Sequence, residues 1–278
     1  MRPMINKVKV GIPALSWLLW FCLACTALVG LAGCASSTSG ASNKSDLVTD
    51  SDEPDSLKRA RIRLELAVGY FEKGQTTVAL DQVKQSIGAD PNQFEAYNLR
   101  GLIYMRLNDV PLAEESFRRA LTINPAAANV QHNYGWLLCQ QSRYPEAMQL
   151  FASALANPAY GDRAKTWMIQ GLCQLKNGQR DDAEASLLHS YELEAGNPIT
   201  GYNLALLLYQ RGEYARAQFY VRRINNSQLA SAESLWLGIK VERRTGNREA
   251  MAQLGEQLKK RYPQSRESSA FERGAFDE

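Results

Sequence analysis

The chain divides into three zones by the pattern of its apolar and polar positions. Residues 12–31 form an almost unbroken apolar run, and residues 35–56 contain hardly any apolar side chain. From Leu57 onward apolar positions are spread through polar sequence, without the alternating β-branched runs that indicate strands. The middle zone cannot bury a core and is predicted to be disordered, whereas the third zone predicts helices.

Small residues recur in the third zone with a period of about 34. Two independent series advance by the same steps of 34, 34, 36, 34 and 33 residues, so they share one insertion. A fixed period of this length indicates stacked repeats, each of which contacts only its neighbours. The first series is Ala67, Gly101, Gly135, Gly171, Ala205 and Gly238, and the second is Ala79, Ala113, Ala147, Ala183, Ala217 and Ala250.

This spacing resembles the tetratricopeptide repeat, which is a pair of antiparallel helices. Gly or Ala at the helix crossing lets the backbones approach, aromatic side chains fill the space around it, and breakers such as Gly74 and Gly178 mark the turns. The resemblance implies an all-α superhelical solenoid of about six helix-turn-helix units over residues 57–264. A polar tail at 265–278 is either a frayed cap or disordered. The second unit matches best, with Tyr97, Gly101, Tyr104, Ala113, Phe117, Ala120 and Pro125.

The first 34 residues have the order of a secretory signal peptide. A short basic segment precedes the apolar run, which ends in Leu31-Ala32-Gly33-Cys34. This ending resembles the bacterial lipobox, in which the cysteine is acylated and becomes the new N-terminus. The resemblance implies cleavage after residue 33, palmitate or a similar acyl chain on Cys34, and a tether at 34–56. The alternative is an uncleaved transmembrane anchor, because about 20 apolar residues can span a bilayer.

The same resemblance gives an expected location. Ala35 follows the cysteine where some lipoproteins have Asp, which implies sorting to the outer membrane and a position on its periplasmic face. Either reading of the apolar run puts the repeats outside the cytoplasm. As a random coil, a tether of this length spans roughly 25 Å, enough to hold the repeats clear of the membrane surface.

Charge and motifs argue against nucleic-acid binding, metal binding and catalysis. Without Arg2, Lys7 and Lys9 the chain has 29 basic and 29 acidic residues, and no basic cluster that would neutralise phosphates. Only two histidines are present, and no set of Cys or His has metal-ligand spacing. No phosphate-binding or nucleophile motif occurs. We therefore expect no enzyme, no cofactor and no small-molecule substrate.

The groove of the solenoid is the predicted partner site. In tetratricopeptide repeats the first helix of each unit lines the groove, and here those positions are unusually apolar and aromatic. Trp and Tyr often supply most of the binding energy at interfaces, and such a groove accepts an extended peptide or a helix. The alternative is that Trp136 and Leu206 only pack between repeats. The predicted groove residues are Asn129, His132, Asn133, Trp136, Lys165, Met168, Leu172, Tyr202, Leu206 and Tyr209, with Cys139, Gln140 and Lys176 beside them.

Two cysteines remain after the signal peptide and Cys34 are set aside. Cys139 and Cys173 lie 34 residues apart on the first helices of adjacent units. Those helices pack side by side, and the expected compartment is oxidising. The sequence therefore predicts a disulfide between the third and fourth repeats, with two buried free thiols as the alternative.

Three stretches narrow the family further. Residues 133–139 read NYGWLLC, residues 154–160 read ALANPAY, and residues 171–173 read GLC. Together with the lipobox and the repeats, they resemble the type IV pilus biogenesis and stability lipoproteins, the pilotins of the pilus secretin. That resemblance implies binding of the secretin subunit, help with its localisation and multimerisation, and support of pilus assembly and twitching motility. The alternatives are a repeat lipoprotein of outer-membrane barrel assembly and an adaptor for peptidoglycan enzymes.

Overall fold

The computed structural model describes residues 52–277, so the predicted signal peptide, Cys34 and most of the tether lie outside it. Within that range the chain forms helices and no strand. None of these helices combines the length and hydropathy that a membrane span requires. The helices are α1 (Asp55–Glu72), α2 (Thr76–Ala89), α3 (Phe94–Arg106), α4 (Val110–Ile123), α5 (Ala128–Gln140), α6 (Tyr144–Ala156), α7 (Arg163–Lys176), α8 (Arg180–Leu193), α9 (Pro198–Gln210), α10 (Tyr214–Asn225), α11 (Ala232–Arg244), α12 (Arg248–Arg261) and α13 (Arg266–Glu272).

Helices α1 to α12 pack as six successive pairs. Each odd-numbered helix contacts the even-numbered helix that follows it most extensively, and each even-numbered helix contacts the next pair. The odd-numbered helices also touch one another in series, from α1 with α3 to α9 with α11. They therefore line one side of the array, and the predicted all-α tetratricopeptide solenoid is confirmed.

A residue with little or no side chain sits at the crossing of each pair. A Cβ atom added to Gly101 would lie 2.5 Å from Cε1 of Phe117, and one added to Gly135 would lie 2.7 Å from Cε1 of Phe151. Both phenylalanine rings are fully buried. Because interiors are close-packed, these rings occupy the space that a larger residue at the crossing would need. The fourth unit repeats the arrangement with Gly171 against the buried Leu187.

Every turn within a pair places one residue in the left-handed backbone region. Four of the six positions are glycines, which reach positive φ without steric cost. Asn108 and Ser142 adopt φ of 59° and 60° despite their side chains. Asparagine tolerates this region but serine rarely does, so Ser142 escaped detection as a turn residue from sequence. The six residues are Gly74, Asn108, Ser142, Gly178, Gly212 and Gly246.

The C-terminal residues form an ordered cap. Helix α13 packs on α11 and α12, and it buries Ser268 and Ala270. The ring of Phe271 fills the space beside Gly255, which an added Cβ atom would need. Terminal repeats need a cover with a polar outer face, and α13 supplies it. The sequence predicted a frayed cap or disorder for this tail, and the structure has an ordered helix there instead, because Ala270 and Phe271 pack on the preceding helices.

Gly101 and Gly88 test the crossing directly. Gly101→Ala should lower the free energy of unfolding by about 1–2 kcal/mol, because the new methyl group overpacks against Phe117. Gly88→Ala should raise it by up to about 1 kcal/mol, because nothing lies within 4 Å of an added Cβ and alanine favours the helix. Urea unfolding followed by circular dichroism measures both. Equal effects of the two substitutions would contradict the claim that the helix crossing at Gly101 has no room for a larger residue.

Candidate protein-binding groove

The ten predicted groove residues differ in how much surface they offer. His132 and Met168 are 5% and 7% exposed, so the prediction that they line an open groove is wrong for these two. Their side chains point into the packing between neighbouring helices instead. The remaining eight are exposed or half-buried on the odd-numbered helices: Asn129, Asn133, Trp136, Lys165, Leu172, Tyr202, Leu206 and Tyr209.

His132 belongs to a buried hydrogen-bonded chain. Its Nδ1 lies 2.8 Å from Oγ1 of Thr166, which also lies 3.0 Å from Oη of Tyr160. Tyr160 stands in the loop that contains the two-residue insertion between α6 and α7. Burial, and next the positive charge of Lys165, lowers the pKa of His132 to about 4. The imidazole is therefore a neutral link between α5 and α7, not a ligand for a partner.

A disulfide makes the second link between α5 and α7. The sulfur atoms of Cys139 and Cys173 are bonded, and their Cα atoms lie 5.9 Å apart. Both cysteines are at most 1% exposed. The two links lie toward opposite ends of these helices, so the third and fourth repeats are held together along the floor of the groove.

Basic side chains lie over aromatic rings of the preceding repeat along the odd-numbered helices. The guanidinium of Arg106 is 3.6 Å from the ring centroid of Phe71, and Nζ of Lys176 is 5.1 Å from that of Trp136. Nζ of Lys240 is 5.7 Å from that of Tyr209. These are cation–π distances. We call Phe71, Arg106, Trp136, Lys176, Tyr209 and Lys240 the cation–aromatic stripe.

The stripe lies near the C-terminal ends of its helices. That position favours cations, because the last carbonyl groups of a helix carry partial negative charge. Burial lowers the pKa of Lys240, which stands between Tyr209 and the ring of Trp236, 5.6 Å from its Nζ. The sequence placed Lys176 and Trp136 in the groove but did not predict that they pair, because the repeat pattern describes one unit and carries no information on contacts between units.

An apolar pocket opens at the other edge of the groove, beside Tyr202. Its volume is about 320 Å³, and it lies between the start of α9 and the loop that leads into α11. Ile199 and Leu229 are about half exposed there. A pocket of this size accepts an apolar side chain of a bound segment. The lining side chains include Pro198, Ile199, Tyr202, Ile224 and Leu229.

The described residues offer no site for metal chemistry. Between residues 52 and 277 no group of three or more His, Cys, Asp or Glu side chains could hold a metal ion. What the groove provides is aromatic surface, apolar pockets and fixed positive charge. These features suit a surface that contacts another polypeptide chain.

Comparison with known proteins gives a consistent assignment. The tetratricopeptide repeat family matches residues 64–128. The type IV pilus assembly protein PilF of Pseudomonas aeruginosa is 32% identical over 209 residues, which are 75% of this chain and 83% of that protein. A solved structure of Pseudomonas aeruginosa PilF aligns with a TM-score of 0.72 at 28% identity, over 80% of this chain and 100% of that one. The structure of PilW, a widely conserved type IV pilus biogenesis factor, aligns with a TM-score of 0.68 at 31% identity, over 76% and 97%.

Removing the disulfide should destabilise the array. For a loop of 34 residues, the chain-entropy model gives a loss of up to about 4 kcal/mol in the double variant Cys139→Ala/Cys173→Ala. Urea unfolding with and without reductant measures it. Reductant should weaken the parent protein by a similar amount and leave the double variant unchanged. Two free thiols in non-reducing mass spectrometry would refute the bridge.

Burial of His132 should make stability depend on pH. The pKa is lowered in the folded state, so below pH 6.5 the unfolded chain binds a proton that the folded chain does not. The contribution of the neutral His132 ring to the free energy of unfolding is therefore fully present above about pH 6.5. It falls by about 1.4 kcal/mol per pH unit as the pH drops toward 4.

The variant His132→Gln removes that titration and should flatten the decline in urea unfolding measured across this range. His189→Gln, at an exposed histidine on α8, controls for loss of an imidazole as such. Equal pH slopes in the parent protein and His132→Gln would show that the buried ring does not cause the decline.

Proposed function

We infer the function from one premise: the chain belongs to the family of the type IV pilus assembly protein PilF. We propose that it is an outer-membrane lipoprotein that binds the type IV pilus secretin in its groove. Binding promotes the localisation and multimerisation of the secretin, and so supports pilus biogenesis, pilus stability and twitching motility. The protein acts as a scaffold and turns over no substrate.

The extent of the similarity to PilF carries this proposal. It covers 83% of that protein in sequence and the whole of its solved chain in structure, so the shared part is the complete array and not one generic repeat. Similarity confined to a single repeat would support only the fold. The role in type IV pilus biogenesis therefore extends to this chain through the whole repeat domain.

The groove supports the proposal in physical terms. Trp136, Leu172 and Leu206 are half-buried on successive odd-numbered helices, so one face of each remains open to a partner. Side chains of this kind supply binding energy when a bound segment covers them. The disulfide and the His132 link hold the centre of the groove in one shape, which lowers the ordering cost of binding.

The lipid and the groove have separate tasks in this mechanism. Acyl chains on Cys34 would hold the protein at the inner face of the outer membrane, since each buried CH₂ contributes about 0.8 kcal/mol. The predicted tether lets the array reach a secretin subunit nearby. A subunit bound in the groove is thereby concentrated at the membrane where rings form, without any new contact between subunits.

Deletion of the gene tests the proposal in cells. The heat-resistant secretin multimer should be lost, or shift to the inner membrane, in unboiled membrane fractions run on a gel. A Cys34→Ala copy should fail to restore its position, because it lacks the lipid. Intact secretin rings and normal twitching in the deletion strain would overturn the proposed function.

A groove variant separates binding from anchoring. Leu172→Asp puts a charge on the groove face of α7 and should reduce secretin multimers while the protein stays in the outer membrane. Val78→Asp introduces the same charge at a residue of α2 that is 42% exposed, and it should behave as the parent protein does.

A further inference from the structure

Three cations of the stripe have aromatic partners but no acidic ones. Arg106, Lys176 and Lys240 each lie over a ring of the preceding repeat. Within the described residues no ion pair joins any of them to a carboxylate, whereas other arginines of the repeats do form such pairs, as Arg143 does with Glu114 at 2.9 Å. The groove therefore presents positive charge that the chain itself leaves unneutralised.

The last position of the same face is already occupied by the chain's own C-terminal residues. The ring of Phe276 stacks on Trp236 of α11, with centroids 5.5 Å apart. Oδ1 of Asp277 lies 3.5 Å from Nη1 of Arg243 and 3.3 Å from Nη2 of Arg244. An aromatic residue followed by an acidic one thus stacks on the tryptophan ring and pairs with two arginines at the same time.

We propose that the groove selects an extended peptide segment in which an aromatic residue adjoins an acidic residue. The inference rests on the proposed function only in taking the groove as the partner site. The aromatic side chain packs beside the ring of one repeat, and the carboxylate neutralises the cation from the next repeat. The pair Phe276-Asp277 shows this mode of contact within the chain.

The geometry also sets a spacing for the pairs. Stripe positions occur between the first and second, third and fourth, and fifth and sixth repeats. Neighbouring packed helices lie 8–10 Å apart, so successive positions are separated by roughly 20 Å. An extended chain covers that distance in about six residues. A segment with Phe-Asp pairs six residues apart therefore fits the stripe best.

A synthetic peptide tests the selection. The probe is a fluorescein-labelled peptide with three Phe-Asp pairs, each separated from the next by Gly-Ser-Gly-Ser. Its binding to the full-length chain in detergent is followed by fluorescence anisotropy. Replacing every Asp of the probe by Asn, or replacing Lys176 by Gln, should each weaken binding about fivefold or more, and added salt should weaken it further.

Lys84→Gln removes one positive charge from the exposed face of α2 and is the matched control, with no expected change. When Lys176→Gln is measured with the Asn peptide, the loss of binding free energy should be smaller than the sum of the two separate losses, because both changes remove the same interaction. Equal binding of the Asp and Asn peptides, equal binding by Lys176→Gln and the parent protein, or no binding of the probe would each overturn the inference.

The outcome is distinguishable from failure of the proposed function. Secretin rings that are intact after gene deletion would refute the secretin role and leave the peptide result standing. If the secretin multimer requires the protein in cells but the groove binds the Asp and Asn peptides equally, only the proposed preference for aromatic–acidic pairs is refuted.

Discussion

The contact between a residue without a side chain and the group packed on it determines the rest of this structure. Gly101 and Gly135 lie so close to Phe117 and Phe151 that no Cβ atom fits between them. That approach fixes the distance between the two helices of a repeat and hence the way one repeat stacks on the next. Since each pair contacts only its neighbours, a small local constraint, repeated, generates the curved face that the odd-numbered helices share.

The period of the sequence predicted this architecture because the crossing constraint is local to each repeat. A small residue, Gly or Ala, recurs at the crossing of every unit, so the series reveals the number of units and the two-residue insertion. Features that depend on contacts between repeats were less accessible. His132 has the sequence position of a groove residue, but Thr166 and Tyr160 of the next unit bury it. The pairs of the cation–aromatic stripe, such as Lys176 with Trp136, could not be predicted for the same reason.

Two other features show where residue-type reasoning reaches its limit. Ser142 takes a left-handed conformation because the two flanking helices require a turn there, which overrides its own preference. The stretch 265–278 is polar in composition, yet Ala270, Phe271 and Phe276 pack in the apolar cluster at the end of the array. In both places the tertiary context decides the local structure, and no short sequence window contains that context.

The groove is held rigid at its centre, and its C-terminal end is covered by the chain itself. The disulfide and the His132 chain hold the third and fourth repeats together, while α13 and Phe276 cover the C-terminal end. A partner segment would therefore meet a preformed floor, with charge along one edge and an apolar pocket along the other. This arrangement suits a scaffold that holds a partner in position, as proposed above, while the proposed lipid anchor would determine where it is held.

Photo-crosslinking in living cells tests the central claim most directly. A photoreactive phenylalanine analogue is placed at Trp136 in the groove or at Phe219, which is 61% exposed on the outer helix α10. If the groove holds the secretin, the probe at Trp136 crosslinks to the secretin subunit and the probe at Phe219 does not. Crosslinks to the secretin from Phe219 alone, or none from either position, would contradict the account.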